Sequence, residues 1–389
     1  MEYINIIYLS SILFFLPLLS GTSISDVAFA IVFVIELIIL LKSISNQLYI
    51  KLIYNIGLIY YLGISFTLCG IIALFIERET PLSVTVVRSV FQTTLCLMTF
   101  GASSYMDFSG STFRYIQRII FFTIIMNTIL LLLFYPINEN IRLVYSHPNF
   151  LGAYFFMFTP LVLLDCNRRN RAKKILVITI LTFFIYLTGA RSALLSQFIM
   201  LTIIIIPKIS FKKIFSYLLM ISTIFFTFIY IYIYQTTLGS YLNNLSRDIF
   251  HKNFFSGRQI IWNEMLELIY QKPFFGYGAG TKPSAMLDIS LSAHNWYLQI
   301  AFQTGIIGLI VALLLILFIY RYYISKIRLF PYMVLSAFIP AMLFHELFEV
   351  MLTQNHLAVG LIVWCILGLG YNRNYYKYII DKYNNKKRI

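Results

Sequence analysis

The chain is a succession of apolar runs of membrane-crossing length that recur from its first residues almost to its last. A hydrocarbon core of about 30 Å takes roughly 20 apolar residues of helix, and every backbone polar group inside it must be satisfied within the helix. A soluble globular fold is therefore excluded, and an all-α, polytopic membrane protein is predicted. Composition agrees, because only 12% of the 389 residues are charged, whereas soluble domains carry about 25%. Apolar runs between polar breaks predict twelve spans, near residues 4–20, 26–41, 53–76, 82–101, 119–135, 150–165, 175–189, 192–207, 213–235, 296–320, 329–351 and 357–371. The first run contains no Lys or Arg before Ser20, so it reads as a spanning helix and not as a removed leader. One long polar stretch, 236–293, separates the ninth and tenth spans. The expected organisation is a single integral membrane domain, residues 1–389, with 236–293 as a large external loop bearing a short amphipathic helix.

The net charge of +15 could by itself suggest nucleic acid, a membrane surface or an acidic ligand. Its placement decides. Of the 30 Lys and Arg, 21 fall in alternate connections, among them Arg168, Arg169, Arg171, Lys173 and Lys174, and the tail from Arg373 to Arg388. By the positive-inside rule these connections and both termini are cytoplasmic, which puts 236–293 outside. The excess is thus a topology signal and gives no support to nucleic acid as a partner. The opposite connections hold Arg78, Arg142, Arg191, Arg247, Lys252, Arg258, Lys272 and Lys282, balanced by as many acids, so the rule gives no reason for the arginines there. Cys69, Cys96, Cys166 and Cys365 are scattered through apolar runs without paired spacing and read as small core residues.

Ionisable groups at membrane depth are costly and therefore candidates for function. Arg88 lies inside the fourth span, His345, Glu346 and Glu349 near the outer end of the eleventh, and Glu36 is expected to be isolated in the second. Arg88 with Glu346 or Glu349 could form a buried ion pair that fixes helix packing. A stronger pattern lies at the outer starts of the sixth, eighth and tenth spans, after Tyr145-Ser146-His147-Pro148-Asn149, Thr188-Gly189-Ala190-Arg191-Ser192 and Ser292-Ala293-His294-Asn295-Trp296. Helix N-termini carry free N–H groups and partial positive charge. Arg191 adds charge of the same sign, which is explained if an anion binds there, although an interfacial arginine can also snorkel. Within 236–293, Ser256 can cap a helix from about Gly257 to Gln271, with Ile261, Met265, Leu268 and Ile269 on one face and Arg258 in its first turn. The glycines of Phe274-Phe275-Gly276-Tyr277-Gly278-Ala279-Gly280 fit no nucleotide-binding motif and are expected to give a flexible loop. No D-x-D, H-E-x-x-H or G-x-S-x-G occurs, so no metal or cofactor is expected. The remaining outward-facing arginines, histidines and carboxylates suit a diphosphate on a lipid carrier.

Four motifs in order, His147-Pro148-Asn149-Phe150-Leu151-Gly152, Thr188-Gly189-Ala190-Arg191-Ser192, Ser256-Gly257-Arg258 with Trp262 and Pro273-Phe274-Phe275-Gly276, and His294-Asn295 followed by Gly305 and Gly308, resemble the O-antigen ligase and Wzy-type polymerase superfamily. The resemblance covers roughly 145–310 by motif and the whole chain by topology. It implies metal-independent glycosyl transfer at the outer face of the cytoplasmic membrane, from a sugar chain on undecaprenyl diphosphate to a sugar hydroxyl. By the same resemblance Arg191 and Arg258 bind the diphosphate and His294 orients or deprotonates the attacking hydroxyl; Arg88, as a cation within a span, is a further candidate for a third phosphate ligand. Asn295, Glu346, Glu349, His147, Asn149 and Trp262 are the supporting candidates, with Glu346 or Glu349 as alternative bases and Trp262 as a surface for sugar rings. The motifs look most like those of capsular or exopolysaccharide repeat-unit polymerases, whose partners are a lipid-linked oligosaccharide, the bilayer, a flippase and a chain-length regulator. A ligase acting on lipid A core is the alternative within the same chemistry. A flippase is the alternative outside it, but it would not need an external segment bearing Arg258.

Overall fold

The computed structural model describes the chain apart from residues 1, 21, 23, 46–48, 78–83, 135–144, 146, 166–170, 251, 252, 256, 286–291 and 385–389. Cys166, the Ser256 cap and the charges of Arg78, Arg142, Arg168, Arg169, Lys252, Lys386, Lys387 and Arg388 lie outside the described residues. Most of those described are helical, with no strand among them. Helix α1 (Glu2–Ser10) passes through a π-helical turn into α2 (Leu16–Leu19), followed by α3 (Ser25–Ser45), α4 (Tyr49–Glu77), α5 (Val84–Tyr105) and α6 (Gly110–Phe134). Next come α7 (Pro148–Leu164), α8 (Arg171–Leu187), α9 (Arg191–Ile205) and α10 (Ile209–Tyr234). The polar stretch folds into α11 (Thr237–Phe250) and α12 (Arg258–Gln271), and the chain ends in α13 (Trp296–Ser325), α14 (Phe330–His345), α15 (Leu357–Tyr371) and α16 (Arg373–Asn384).

A helix lies at each predicted span. Among the described residues, four are long and apolar enough to cross a membrane: Gly57–Phe75, Gly110–Leu133, Ile209–Tyr234 and Trp296–Ser325. Leu357–Tyr371 and Arg373–Asp381, bent by 60°, make a fifth if taken as one span. Tyr3–Leu19, Pro148–Leu164, Arg191–Ile205 and Phe330–His345 are apolar but shorter. The chain is a multi-pass membrane protein, while twelve crossings go beyond what helix length and composition reach.

Helices α7, α14 and α15 form the centre, and every residue of α15 is buried. Helix α10 instead exposes Leu218, Ile221, Phe225, Phe228 and Tyr232, as a helix facing hydrocarbon can, because lipid tails are as apolar as these side chains. Helix α12 has a separate small core, in which Ile261, Trp262 and Met265 pack with Tyr230 of α10 and Leu298 and Phe302 of α13.

Three expectations change. Glu36 is not isolated, because Thr99 donates a 2.6 Å hydrogen bond to its Oε1 across the α3–α5 contact. The glycine-rich segment is not built for flexibility. Gly276 and Gly305 both have positive φ, and a Cβ on Gly276 would lie 2.4 Å from the Phe302 carbonyl oxygen, one on Gly305 2.1 Å from that of Phe274. Gly305 breaks α13, and the two segments join through Tyr277 N–H to Phe302 O, Gly278 N–H to Gln303 O and Ile306 N–H to Pro273 O. Glycine is needed there for conformation and close approach. Finally, α14 stops at His345, short of the predicted 351, and residues 346–356 fold inward with Leu347, Val350, Met351 and Leu352 buried. Cys96 and Cys365 are buried as expected, and Cys69 is half-buried.

Candidate active site

Five helices begin at one place. Helix α7 starts with Pro148, whose missing N–H costs nothing at that position, and His147 Nδ1 accepts from Asn149 N–H as its cap. Helix α9 starts at Arg191, after a turn in which Gly189 has positive φ. Helix α12 starts at Arg258, after Gly257 in the left-handed region. Asn295 caps α13 by accepting from Leu298 N–H, and α15 follows His356. Each start delivers one polar side chain: Asn149, Arg191, Arg258, His294 and His356.

Four of these five meet on one carboxylate, Glu349, supplied by the inward-folded 346–356 segment. Oε1 of Glu349 accepts from Asn149 Nδ2 at 2.6 Å and lies 3.6 Å from the Arg258 guanidinium. Oε2 lies 3.4 Å from His294 Nδ1 and 3.6 Å from His356 Nε2. Burial opposes the charge on Glu349, yet hydrogen bonds from His294 and His356 and their charges hold its pKa well below the usual carboxylate range. Burial lowers the pKa of Arg258, Glu349 opposes that, and the Arg191 charge adds a further lowering, so the two arginines sit close enough to repel. The Arg258 guanidinium also lies 5.6 Å from the Phe348 ring centroid. Arg191 has no ion-pair partner among the described residues. Two like charges held together beside five helix N-termini have a deficit of negative charge that an anion would fill.

Exposure sorts the roles. The Glu349 side chain is 2% exposed, His294 31% and Arg258 19%. With its proton on Nδ1, His294 donates to Glu349 and leaves Nε2 as an accepting base. Glu349 is closed in by its donors and is not itself placed to take a proton from a substrate. Glu346 is fully buried, and its Oε2 accepts from Met351 N–H, which closes the 346–351 turn. Its backbone oxygen accepts from Trp296 N–H and so ties that turn to α13.

Other expectations are corrected. Arg88 is half-exposed and bound to Asp26 at 2.8 Å, not to Glu346 or Glu349, and its guanidinium is not among the groups around the site. Trp262 cannot stack on a sugar ring here, because it is fully buried and its indole N–H donates to the Ala293 carbonyl, one residue before His294. Asn295 is equally buried, capping α13 and donating to Thr227. His356 was not foreseen, since it stands alone in the sequence after an apolar stretch. A cavity of about 300 Å³ lined by Asn5, Asp107, Ser109, Thr112, Tyr115 and Asn374 lies at the other end of α15, and no cation lines it.

Residues 175–313 match a family model described as O-antigen ligase. Over that segment the chain is similar to the O-antigen ligase family. The family region carries Arg191, Arg258, Trp262, His294 and Asn295, whereas Asn149, Glu349 and His356 reach the site from outside it. Proteins of the O-antigen ligase family are glycosyltransferase-like ligases and polymerases. The comparison with curated proteins gave no match.

Proposed function

We propose that the protein is a polymerase of lipid-linked oligosaccharide repeat units, working without a metal at the outer face of the cytoplasmic membrane. Both termini are then cytoplasmic and 236–293 lies outside. The observation that carries this reading is the meeting of Arg258 and His294 on Glu349, with Arg191 near enough to Arg258 to lower its pKa, at the starts of helices. Arg191 and Arg258 hold the diphosphate of an undecaprenyl-linked donor. Arginine stays charged and can bind phosphate oxygens in pairs. His294 Nε2 takes the proton from a sugar hydroxyl of the acceptor as that oxygen forms its bond to the donor's anomeric carbon. The bond from that carbon to the diphosphate breaks, and its electron pair stays on the leaving diphosphate, where the two guanidiniums offset the growing charge. A flippase has no use for a base anchored by a buried carboxylate.

A second reading within the same chemistry is a ligase that delivers the glycan to lipid A core; the matched family model carries the description O-antigen ligase. Purified protein supplied with lipid-linked repeat units alone, without divalent metal, tests the choice. Lengthened lipid-linked products are expected. Product that forms only when lipid A core is added makes the protein a ligase.

A further inference from the structure

We propose that His356 is a positioning residue for His294, acting through the carboxylate that the two histidines share. This rests on the reading of His294 as the base.

Glu349 has four groups around it: Asn149 donates to Oε1 at 2.6 Å and Arg258 stands 3.6 Å from the same oxygen, while His294 lies 3.4 Å and His356 3.6 Å from Oε2. His356 is thus on the same oxygen as His294. Its own ring is fixed edge-on to Phe150, 5.3 Å between centroids, in the turn of α7 that also presents Asn149. Among the described non-glycine residues only His294 (φ 45) and Asn355 (φ 42) have positive φ. One is the base, and the other immediately precedes His356. Asn355 Nδ2 and His294 N–H both donate to the Ser292 hydroxyl, at 2.8 and 3.4 Å. Left-handed backbone at ordinary residues costs free energy and survives where surrounding contacts enforce it. Here it aims both histidines at one oxygen. With His356 in place, Oε2 is held where His294 Nδ1 can donate to it, and Nε2 faces the acceptor. Without His356, Oε2 can turn away and His294 loses its orientation.

The test compares wild type, His356→Ala and His356→Gln in detergent, with undecaprenyl-diphosphate-linked oligosaccharide as donor, following transfer against donor concentration and pH. The groups facing Glu349 are Arg258 from α12, His294 before α13, His356 before α15 and Asn149 from α7, with His345 and Glu346 behind it and Arg191 beyond Arg258. By analogy with the outer partners that orient metal-bound histidines, loss of this contact is expected to cost about 10–100-fold. His356→Ala is expected to lower kcat by that factor with the donor KM unchanged. His356→Gln, whose amide can donate from the same side, recovers most of kcat. Wild-type kcat in His356→Ala overturns the proposal, as does a raised donor KM with kcat intact, which would put His356 on the donor. If His356→Ala proves unstable, a stable His356→Gln as slow as the alanine variant also overturns it. Failure of the base reading shows separately, as full activity in His294→Ala.

Discussion

Two buried glutamates have opposite surroundings. Glu36, between α3 and α5, accepts one hydroxyl hydrogen bond from Thr99 and has no cation at ion-pair distance among the described residues. Glu349, at the meeting of five helix starts, has two amide or guanidinium donors on one oxygen and two histidines on the other. A buried carboxyl with only hydroxyls beside it and no cation serves packing, because burying a charge without a counter-charge costs too much. A carboxyl surrounded by four donors is built to stay charged, and the groups around it are held in place by it. Only the second arrangement can set the tautomer and direction of a base.

The largest expected effect separates the two regions at once. His294→Ala should lower glycosyl transfer by about 10²–10⁴-fold, the usual range for a removed general base, in membranes where immunoblots show normal insertion. Arg191→Ala and Arg258→Ala should each cost about 10²–10³-fold, as loss of one stabilising donor to a growing anion does, measured as shortened polysaccharide ladders. Glu349→Ala should also destabilise the protein by about 3–5 kcal/mol, because it strands buried Arg258 without its counter-charge. Thermal unfolding in detergent reads this directly, and an unchanged midpoint would place Glu349 in the same class as Glu36.

The Glu349 pKa is depressed by its donors, so its contribution to stability is present above the unfolded glutamate value of about 4.3 and disappears as pH falls through the lower folded value. The difference in melting temperature between wild type and Glu349→Gln should therefore stay constant from pH 8 to about 5 and shrink only below about 4.3. A difference that fades between pH 7 and 5 would mean that the four donors do not hold the charge. The smallest of these effects is at Trp262. Trp262→Phe keeps most of the ring packing but leaves the buried Ala293 carbonyl without its donor, a loss of about 1–3 kcal/mol, again read from the melting temperature.

The parts of this arrangement that were legible in the sequence are those written locally. Apolar runs mark the helices, and the polar breaks at 145–149 and 292–296 and the expected helix from about Gly257 mark where three of them begin, so Arg258 and His294 could be placed at helix starts without coordinates. The centre of the site was not legible as such. Glu349 meets Asn149 from 200 residues away, and no local period reports that contact. The apolar character of Leu347, Val350, Met351 and Leu352 extends the predicted span beyond His345, yet those residues are buried because the chain folds inward, not because the helix continues. That reading hid the connection that carries His356. The glycines of 274–280 misled for a related reason, since the close approach to Gly305 that requires them comes from a distant helix.

Transfer rates of His294→Ala and Glu36→Gln, measured side by side on purified protein with lipid-linked repeat units, test the central claim most directly. The account predicts that Glu36→Gln elongates at the wild-type rate while His294→Ala elongates at no more than about one hundredth of it. Wild-type elongation by His294→Ala would contradict the account, whatever Glu36→Gln does.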